Sequence, residues 1–429
     1  MKRSKIFSFI FLLAASAAFA QQSPVKDTVL RDLISQAVNN YPRLKELEEQ
    51  LKVSDVKDEL IHSNYKPTLS ADGAWSYVNP VAKIPFGGNE FQFQPYNNFN
   101  AALNLRQMVY DFGKTKMALD RNGSERKLSQ DNLENNRNAV AYQVAQIYYA
   151  ILFLNRSVKV QEDQLLSLRE NERVIESKIK NGDAIQYDLL TTQVRTANTD
   201  NRLKDLKGSL EKQYVMLQWL TGKDQHGVVK GQGVQDDLPL IKEGGDWQNS
   251  NPEAKIINRK LELFNYDLKA AQINDRPNIF ASASGGFRNG YVPDINPLRL
   301  NGSLGVGVSV PILSASRPKL QQKLTQVNIE ATKKSLTTLE NNINKDLATI
   351  GEDYKTLDQK LQNSKLLVTQ AEKAYELAQT RYKEGLITNV ELNIIQNSVE
   401  DANLNLLQTQ YMMVLDKLES HKVVGTKLY

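Results

Sequence analysis

The chain contains two copies of the same pattern, and this duplication constrains its fold more than any other feature. The clearest match aligns KNGDAIQYDLLTTQ, from Lys180 to Gln193, with KEGLITNVELNIIQ, from Lys383 to Gln396, at an offset of 203 residues. Earlier in each copy, an offset of 210 residues aligns Lys66-Pro67 with Arg276-Pro277. We therefore expect a fold built from two similar halves.

The two copies set the predicted division of the chain. Residues 1–20 are typical of a secretory signal peptide, because Lys2, Arg3 and Lys5 precede the apolar run from Ile6 to Leu13 and small residues follow at 18–20. The first copy is expected over 21–222 and the second over 248–429. A segment rich in glycine and charge, 223–247, joins them.

Charge and residue content exclude several classes of function. The formal net charge is +5, of which the predicted signal peptide supplies three positives and no negatives, so the mature chain carries +2. This balance gives nucleic-acid binding no electrostatic support. There is no cysteine, and His62, His226 and His421 lack metal-binding spacing. No catalytic constellation stands out either, so we expect neither an enzyme nor a metal or cofactor site.

Helical periodicity dominates each copy. Apolar residues recur at alternating steps of four and three, which is a coiled-coil seam; they are Val140, Val144, Ile147, Ile151, Leu154 and Val158. One uninterrupted helix is expected over 114–180 and another over 319–383. Two shorter helices in each half, over about 42–64 and 186–222 and over about 252–274 and 388–425, together nearly match the long one, which suggests a two-part strut beside it.

Between the first short helix and the long helix of each copy, the period changes to two. One face of each predicted strand is apolar and the other is polar or very small. The apolar positions are Leu69, Ala71, Gly73, Trp75, Tyr77, Phe99, Ala101, Leu103, Leu105, Ile279, Ala281, Ala283, Gly285, Phe287, Leu304, Val306, Val308 and Val310. This predicts four strands in two hairpins, over about 68–107 and 278–311.

Strands of this length and pattern suit a transmembrane β-barrel, the alternative being a soluble sheet packed on the helices. Four strands cannot stand alone in lipid, because the two edges of the sheet would leave backbone groups unpaired. Two chains would give eight strands and a filled interior, whereas three would give twelve strands and a lumen. The asparagines and small residues of the polar faces favour three.

These features together resemble the TolC family of outer-membrane efflux proteins. The resemblance covers essentially the whole mature chain and depends on the duplicated order of elements, on Pro67 and Pro277 before the strands, and on the YDFG sequence 110–113. It also depends on the two helix tips, the turns at Gly182 and Gly385 where each long helix is followed by a shorter one. It implies a mixed α/β membrane protein: a trimeric twelve-stranded antiparallel β-barrel, with four strands per chain, continued by a long α-helical coiled-coil tunnel.

The resemblance also implies a function. Such a protein would lie in the outer membrane of a Gram-negative bacterium, with its tunnel in the periplasm. It would form the passive exit duct of a tripartite efflux pump or a type I secretion system. Its partners would be its own copies, a periplasmic adaptor, an inner-membrane transporter and outer-membrane lipid, with no nucleic acid. The heptads alone would also allow a structural coiled-coil protein of the periplasm that forms no channel.

By position, the resemblance places adaptor docking at the two helix tips. The implied contact residues are Gly182, Asp183, Ala184, Gly385, Leu386, Ile387 and Thr388. Asp188 and Glu391 fall where the family narrows its aperture, and rings of such acids would favour cations. Glu391 also fits a capping box with Thr388, and Asp183 with Gln186 could cap the start of the helix that contains Asp188. Both glycines also fit helix ends in the left-handed conformation.

Overall fold

The computed structural model describes residues 27–87, 89–229, 238–241, 247, 250–312 and 316–429. The predicted signal peptide lies outside these ranges, as does most of the joining segment. The seven α-helices of the described chain are α1 (Thr28–Asn40), α2 (Pro42–His62), α3 (Lys114–Asn181), α4 (Gln186–Thr221), α5 (Pro252–Ile273), α6 (Arg317–Lys383) and α7 (Asn389–Val424). None of them carries an apolar stretch long enough to cross a lipid bilayer.

The long helices organise both halves in the same way. Helix α3 has 68 residues and α6 has 67, so each is about 100 Å long at 1.5 Å per residue. Helices α2 and α4 pack beside α3, and α5 and α7 pack beside α6. The predicted two-part strut is therefore confirmed in each half. Helix α5 also packs against α3, which places the two halves side by side.

The first four residues of the predicted heptad seam of α3, from Val140 to Ile151, lie in the largest apolar core of the described residues. All six members of the seam, from Val140 to Val158, are buried. Helix α1 completes this core with four fully buried side chains, Leu30, Leu33, Ile34 and Ala37. Its N-cap is Asp27, whose carboxylate accepts hydrogen bonds from the backbone N–H groups of Val29 and Leu30 at 2.8 and 3.3 Å. The sequence reading missed this helix, although its cap and its spacing are both regular.

The four predicted strands form one antiparallel sheet in the order β1-β4-β5-β6. They are β1 (Thr68–Tyr77), β4 (Asn97–Tyr110), β5 (Asn278–Arg288) and β6 (Arg299–Ser309). A small hairpin, β2 (Lys83–Phe86) and β3 (Asn89–Gln92), lies in the loop between β1 and β4 and was not predicted from the sequence. Strand β4 ends at Tyr110 rather than near 107, after a bulge between Met108 and Tyr110.

Strand register gives the sheet one apolar and one polar face. Leu69 pairs with Leu105 and Ala71 with Leu103, and Ala281 pairs with Val306. The alternating residues carry every formal charge of the four strands, namely Asp72, Arg106, Arg288 and Arg299. Apart from the sheet itself, the only described element in substantial contact with it is the 3-10 turn Ser63–Tyr65. The soluble sheet packed on helices is therefore wrong, because both of its faces are open.

A buried aspartate fixes the corner where β4 leads into α3. The carboxylate of Asp111 accepts hydrogen bonds from the backbone N–H groups of Gly113 at 3.0 Å and Thr115 at 2.6 Å, and from the Tyr65 hydroxyl at 2.7 Å. Asp111 is 3% exposed. The YDFG sequence thus joins the sheet rigidly to the helical part, and the sheet and the tips lie at opposite ends of the long helices.

Candidate functional site

Both helix tips are tight turns built on a glycine in the left-handed conformation. Gly182 has φ of +83° and Gly385 has φ of +75°. After each glycine the chain closes back on the long helix: the N–H of Asp183 donates to the carbonyl of Lys178, and that of Leu386 to the carbonyl of Arg381, both at 2.8 Å. This is the Schellman arrangement, which satisfies the last carbonyls of a helix. The expected left-handed helix ends are confirmed at both tips.

The tips present apolar side chains to solvent. Ile185 is 64% exposed beside Gly182, and Leu386 is 69% exposed beside Gly385. Asp183 is exposed and Ala184 is half-buried in the first turn, and Ile387 is half-buried in the second. Exposed aliphatic side chains at the end of a long hairpin cost solvation free energy unless another surface covers them.

Glu391 forms the capping box that the sequence predicts. The Thr388 hydroxyl accepts the Glu391 backbone N–H at 3.2 Å, and the Glu391 carboxylate accepts the Thr388 backbone N–H at 2.7 Å. These hydrogen bonds from the backbone and side chain of Thr388 lower the pKa of Glu391 from its ordinary value. Glu391 is exposed, so its negative charge faces solvent at the start of α7.

Asp188 has a different environment at the start of α4. Ile185 occupies the N-cap and makes no side-chain cap, so the expected pairing of Asp183 with Gln186 is wrong. Within the described chain the half-buried carboxylate of Asp188 forms no hydrogen bond, and it lies close enough to Tyr382 of α6 to matter electrostatically. Burial first, and then the Asp188 charge, raise the pKa of the Tyr382 hydroxyl. Asp188 therefore lies next to the other half of the chain, and the Asn389 amide of α7 also approaches its backbone carbonyl at 3.5 Å.

Asn389 brings the two tips together, and the sequence reading missed it. Its side chain is 4% exposed and donates to the Thr192 hydroxyl at 2.9 Å, while its carbonyl oxygen accepts from the Asn171 amide at 2.9 Å. Thr192 belongs to α4 and Asn171 to α3. The first turn of α7, with Glu391, is thereby held against the first turn of α4, with Asp188.

Asn389 is the first member of a polar seam along α7, which we define as Asn389, Asn393, Gln396 and Glu400. All four are at most 9% exposed. Gln396 donates to the Ser167 hydroxyl at 2.8 Å, and Glu400 accepts from Gln161 at 2.6 Å and from Arg202 at 3.3 Å. Arg195 of α4 also donates to the Asn393 carbonyl. Successive members of the polar seam are four, three and four residues apart, which is heptad spacing, but the buried positions hold polar instead of apolar side chains.

We expect Asn389→Ala to loosen both tips selectively. The substitution removes the acceptor of Asn171 and one partner of Thr192, and leaving buried polar groups unpaired costs about 1–3 kcal/mol. Hydrogen exchange should therefore accelerate at residues 182–190 and 385–392, while the core around Val144 keeps its protection. The variant Asn405→Ala, at an exposed position of the same helix, serves as the control. Equal exchange at the tips in Asn389→Ala and wild type would contradict this role.

A family model, sequence relatives and solved structures all relate this chain to outer-membrane efflux proteins. A family model described as outer membrane efflux protein matches residues 33–223 and 248–419. The probable efflux pump outer membrane protein TtgC and the antibiotic efflux pump outer membrane protein ArpC, both from Pseudomonas putida, are 23% identical to this chain; each match covers 94% of the chain and 84% of the relative.

Two solved structures share the fold along nearly the whole chain. VceC, an outer membrane protein of Vibrio cholerae, superposes with a TM-score of 0.71 at 16% identity, over 93% of this chain and 97% of its own. The CmeC outer membrane channel of Campylobacter jejuni superposes with a TM-score of 0.70 at 18% identity, over 99% of this chain and 94% of its own.

Proposed function

The chain belongs to the outer membrane efflux protein family and is thus an outer-membrane exit duct of an efflux pump. From this premise we propose that it assembles from three copies and that it docks to a periplasmic adaptor through its helix tips. The family assignment agrees with the resemblance found in the sequence. The alternative of a structural coiled-coil protein without a channel is not favoured, because it leaves the open four-stranded sheet without a purpose. The relatives are efflux channels rather than enzymes.

Three copies form one closed twelve-stranded barrel with a helical tunnel on its periplasmic side. The observation that carries this proposal is the sheet, whose edges β1 and β6 lack partners within the described chain and whose apolar face is bare. Leu304 is 88% exposed and Val306 is 76% exposed on that face. In lipid, closure is the arrangement that pairs both edges. The polar face then lines a lumen.

The long helices support the same assembly. They carry large apolar side chains that stay bare in the single chain, among them Leu320, Leu324, Leu366, Leu367 and Leu377, which are 53–69% exposed. Such patches are typical of protein interfaces. A ring of three chains would cover them between neighbouring protomers.

The native mass of the protein tests this assembly. Protein extracted with detergent from an outer-membrane fraction should have the mass of three mature chains after subtraction of the bound detergent. A monomer that is released without detergent would contradict both the trimer and its membrane location.

The tips are the proposed docking surface for a periplasmic adaptor, which in turn would connect the duct to an inner-membrane transporter. The contact residues are those predicted from the sequence: Gly182, Asp183, Ala184, Gly385, Leu386, Ile387 and Thr388. Support comes from the rigid turns and from the exposed Ile185 and Leu386, which need a cover. Leu386→Asp should leave the trimer intact and abolish binding to the adaptor of the same organism, measured by surface plasmon resonance, whereas Val306→Ala should bind normally.

Asp188 and Glu391 are the proposed aperture acids, and Glu391→Gln separates an aperture role from capping. Glutamine also serves in a capping box, so the thermal midpoint of the trimer should not change. The cation preference of the duct, measured as a reversal potential across a KCl gradient in a planar bilayer, should fall. In the wild type the preference should persist as the pH drops through 4.5, the ordinary value for glutamate, because the Thr388 hydrogen bonds lower this pKa. An unchanged reversal potential would leave Glu391 with capping alone.

A further inference from the structure

The end of the sheet remote from the helices carries two arginines in direct register. Arg288, the last residue of β5, pairs with Arg299, the first residue of β6. Both alternate with apolar neighbours, Phe287 and Leu300, and therefore project from the polar face. Like charges directly opposite each other destabilise a strand pair. An arrangement of this kind needs a compensating negative charge.

The described chain offers no such charge from its own carboxylates. Neither arginine takes part in any of its ion pairs or side-chain hydrogen bonds. Asp294, in the loop that connects β5 to β6, instead accepts the backbone N–H of Asn296 at 3.3 Å. The remaining charge on the polar face near this level is Asp72, which accepts from the Asn104 amide at 2.5 Å. The two guanidinium groups thus remain free to bind an anion.

The backbone around the arginine pair is held in place. Asn289, 4% exposed, continues the strand pairing with its side chain: its carbonyl oxygen accepts the Phe99 N–H at 2.8 Å, and its amide donates to the Asn97 carbonyl at 2.6 Å. The loop beyond it is closed by a hydrogen bond of 2.7 Å from the Gly290 N–H to the Ile295 carbonyl. Arg288 therefore starts from a fixed position, which lowers the entropic cost of binding.

We propose that Arg288 and Arg299 form an anion site at the outer mouth of the barrel, which binds multivalent oxyanions of the phosphate class. This inference rests on the proposed assembly, in which the polar face lines the lumen. Three copies would then place six guanidinium groups around the mouth, each with planar donors suited to oxyanions. The lipid-facing side of the sheet is the opposite one, so the ligand comes from solution rather than from lipid headgroups.

Arg106 provides the matched control on the same face. It lies six residues along β4 from Asn100, the residue opposite Arg288, which is about 20 Å at the rise of a strand. It stands opposite Ser282 rather than another arginine, and its guanidinium stacks over the Phe280 ring at 4.0 Å. If anions bound only through the general positive potential of the lumen, all three arginines would contribute. A site at the mouth requires Arg288 and Arg299 but not Arg106.

The test uses inorganic triphosphate on single channels in a planar bilayer. Protein added to one compartment keeps its helices there, because they cannot cross lipid, so the mouth opens to the opposite compartment. Triphosphate in that compartment should block the KCl current at about 0.1 M salt, and the block should weaken as salt rises. In Arg288→Gln/Arg299→Gln the half-blocking concentration should rise at least about tenfold, and in Arg106→Gln by less than about threefold.

Two outcomes would overturn the site: conducting channels that triphosphate does not block, and a block that the double variant and Arg106→Gln weaken equally. Isothermal titration of the detergent-solubilised trimer with triphosphate gives the same comparison without a need for an open aperture. There, equal affinity in the wild type and the double variant would reject the site. Failure of the proposed assembly is distinguishable, since it appears as a native mass other than three chains.

Discussion

Leu103→Arg should abolish trimers in the outer membrane. Leu103 lies at the middle of β4, pairs with Ala71 and Gly285 on the apolar face, and is 55% exposed. An arginine facing lipid at the midplane of a barrel costs about 2–4 kcal/mol. The proposed trimer would bear this cost three times, about 6–12 kcal/mol, which is comparable to the whole stability of many folded domains.

Ala102→Arg is the control for the same strand and the same new side chain. Ala102 is on the polar face, directly opposite Asp72, so the added guanidinium would meet water and a carboxylate. The amount of trimer in outer-membrane fractions, on unheated gels and by native mass, should be close to that of the wild type. Normal yield of Leu103→Arg, or equal loss of both variants, would contradict the assignment of the two faces.

Gly286→Ala should separate the two halves of the sheet. Gly286 pairs with Ala102 where β4 meets β5, the only pair of described strands that joins the first copy to the second. A Cβ at this position would lie 2.1 Å from the carbonyl oxygen of Ala101 and 2.6 Å from the Cα of Ala102. Both are backbone atoms, so a shift of the strand is required. We expect a loss of at least about 3 kcal/mol, the upper range for overpacking.

Gly285→Ala is the neighbouring control. A Cβ at Gly285 would meet nothing within 4 Å, on the apolar face. The temperature at which the detergent-solubilised trimer dissociates should fall strongly in Gly286→Ala and stay near the wild-type value in Gly285→Ala. Identical dissociation temperatures in the two variants would show that β4 and β5 can separate slightly at no cost.

The order of helices and strands was predictable because it follows from the spacing of apolar residues along the chain. The period of two in the strands and the heptad of α3 each specify which side chains share a face, and the duplication specifies that the faces occur twice. The glycine turns and the Thr388–Glu391 cap were predictable for a related reason, since they depend on residues within one helical turn of each other.

The contacts between helices were not predictable in the same way. The buried role of Asn389 depends on Thr192 and Asn171, about two hundred residues away, and nothing in the local sequence of α7 distinguishes it from an exposed asparagine. Arg288 and Arg299 lie close together in the chain, but only the register of β5 and β6 makes them direct neighbours. Helix α1 was also missed, but for a different reason, because its cap and its apolar spacing are both visible in the sequence and could have been recognised.

The polar seam of α7 bears on how a duplicated chain avoids packing the wrong copy of a helix into a groove. Helix α4 resembles α7, so either could in principle occupy the same groove, within one chain or between chains. At the offset of 203, the residues of α4 that correspond to the seam are Gln186, Leu190, Gln193 and Ala197. An apolar groove would accept both helices with little preference. With α4 in that groove, Ala197 would stand in the position of Glu400 and would offer no partner to the buried Gln161 of α3. The polar seam therefore favours α7 over α4 at this position.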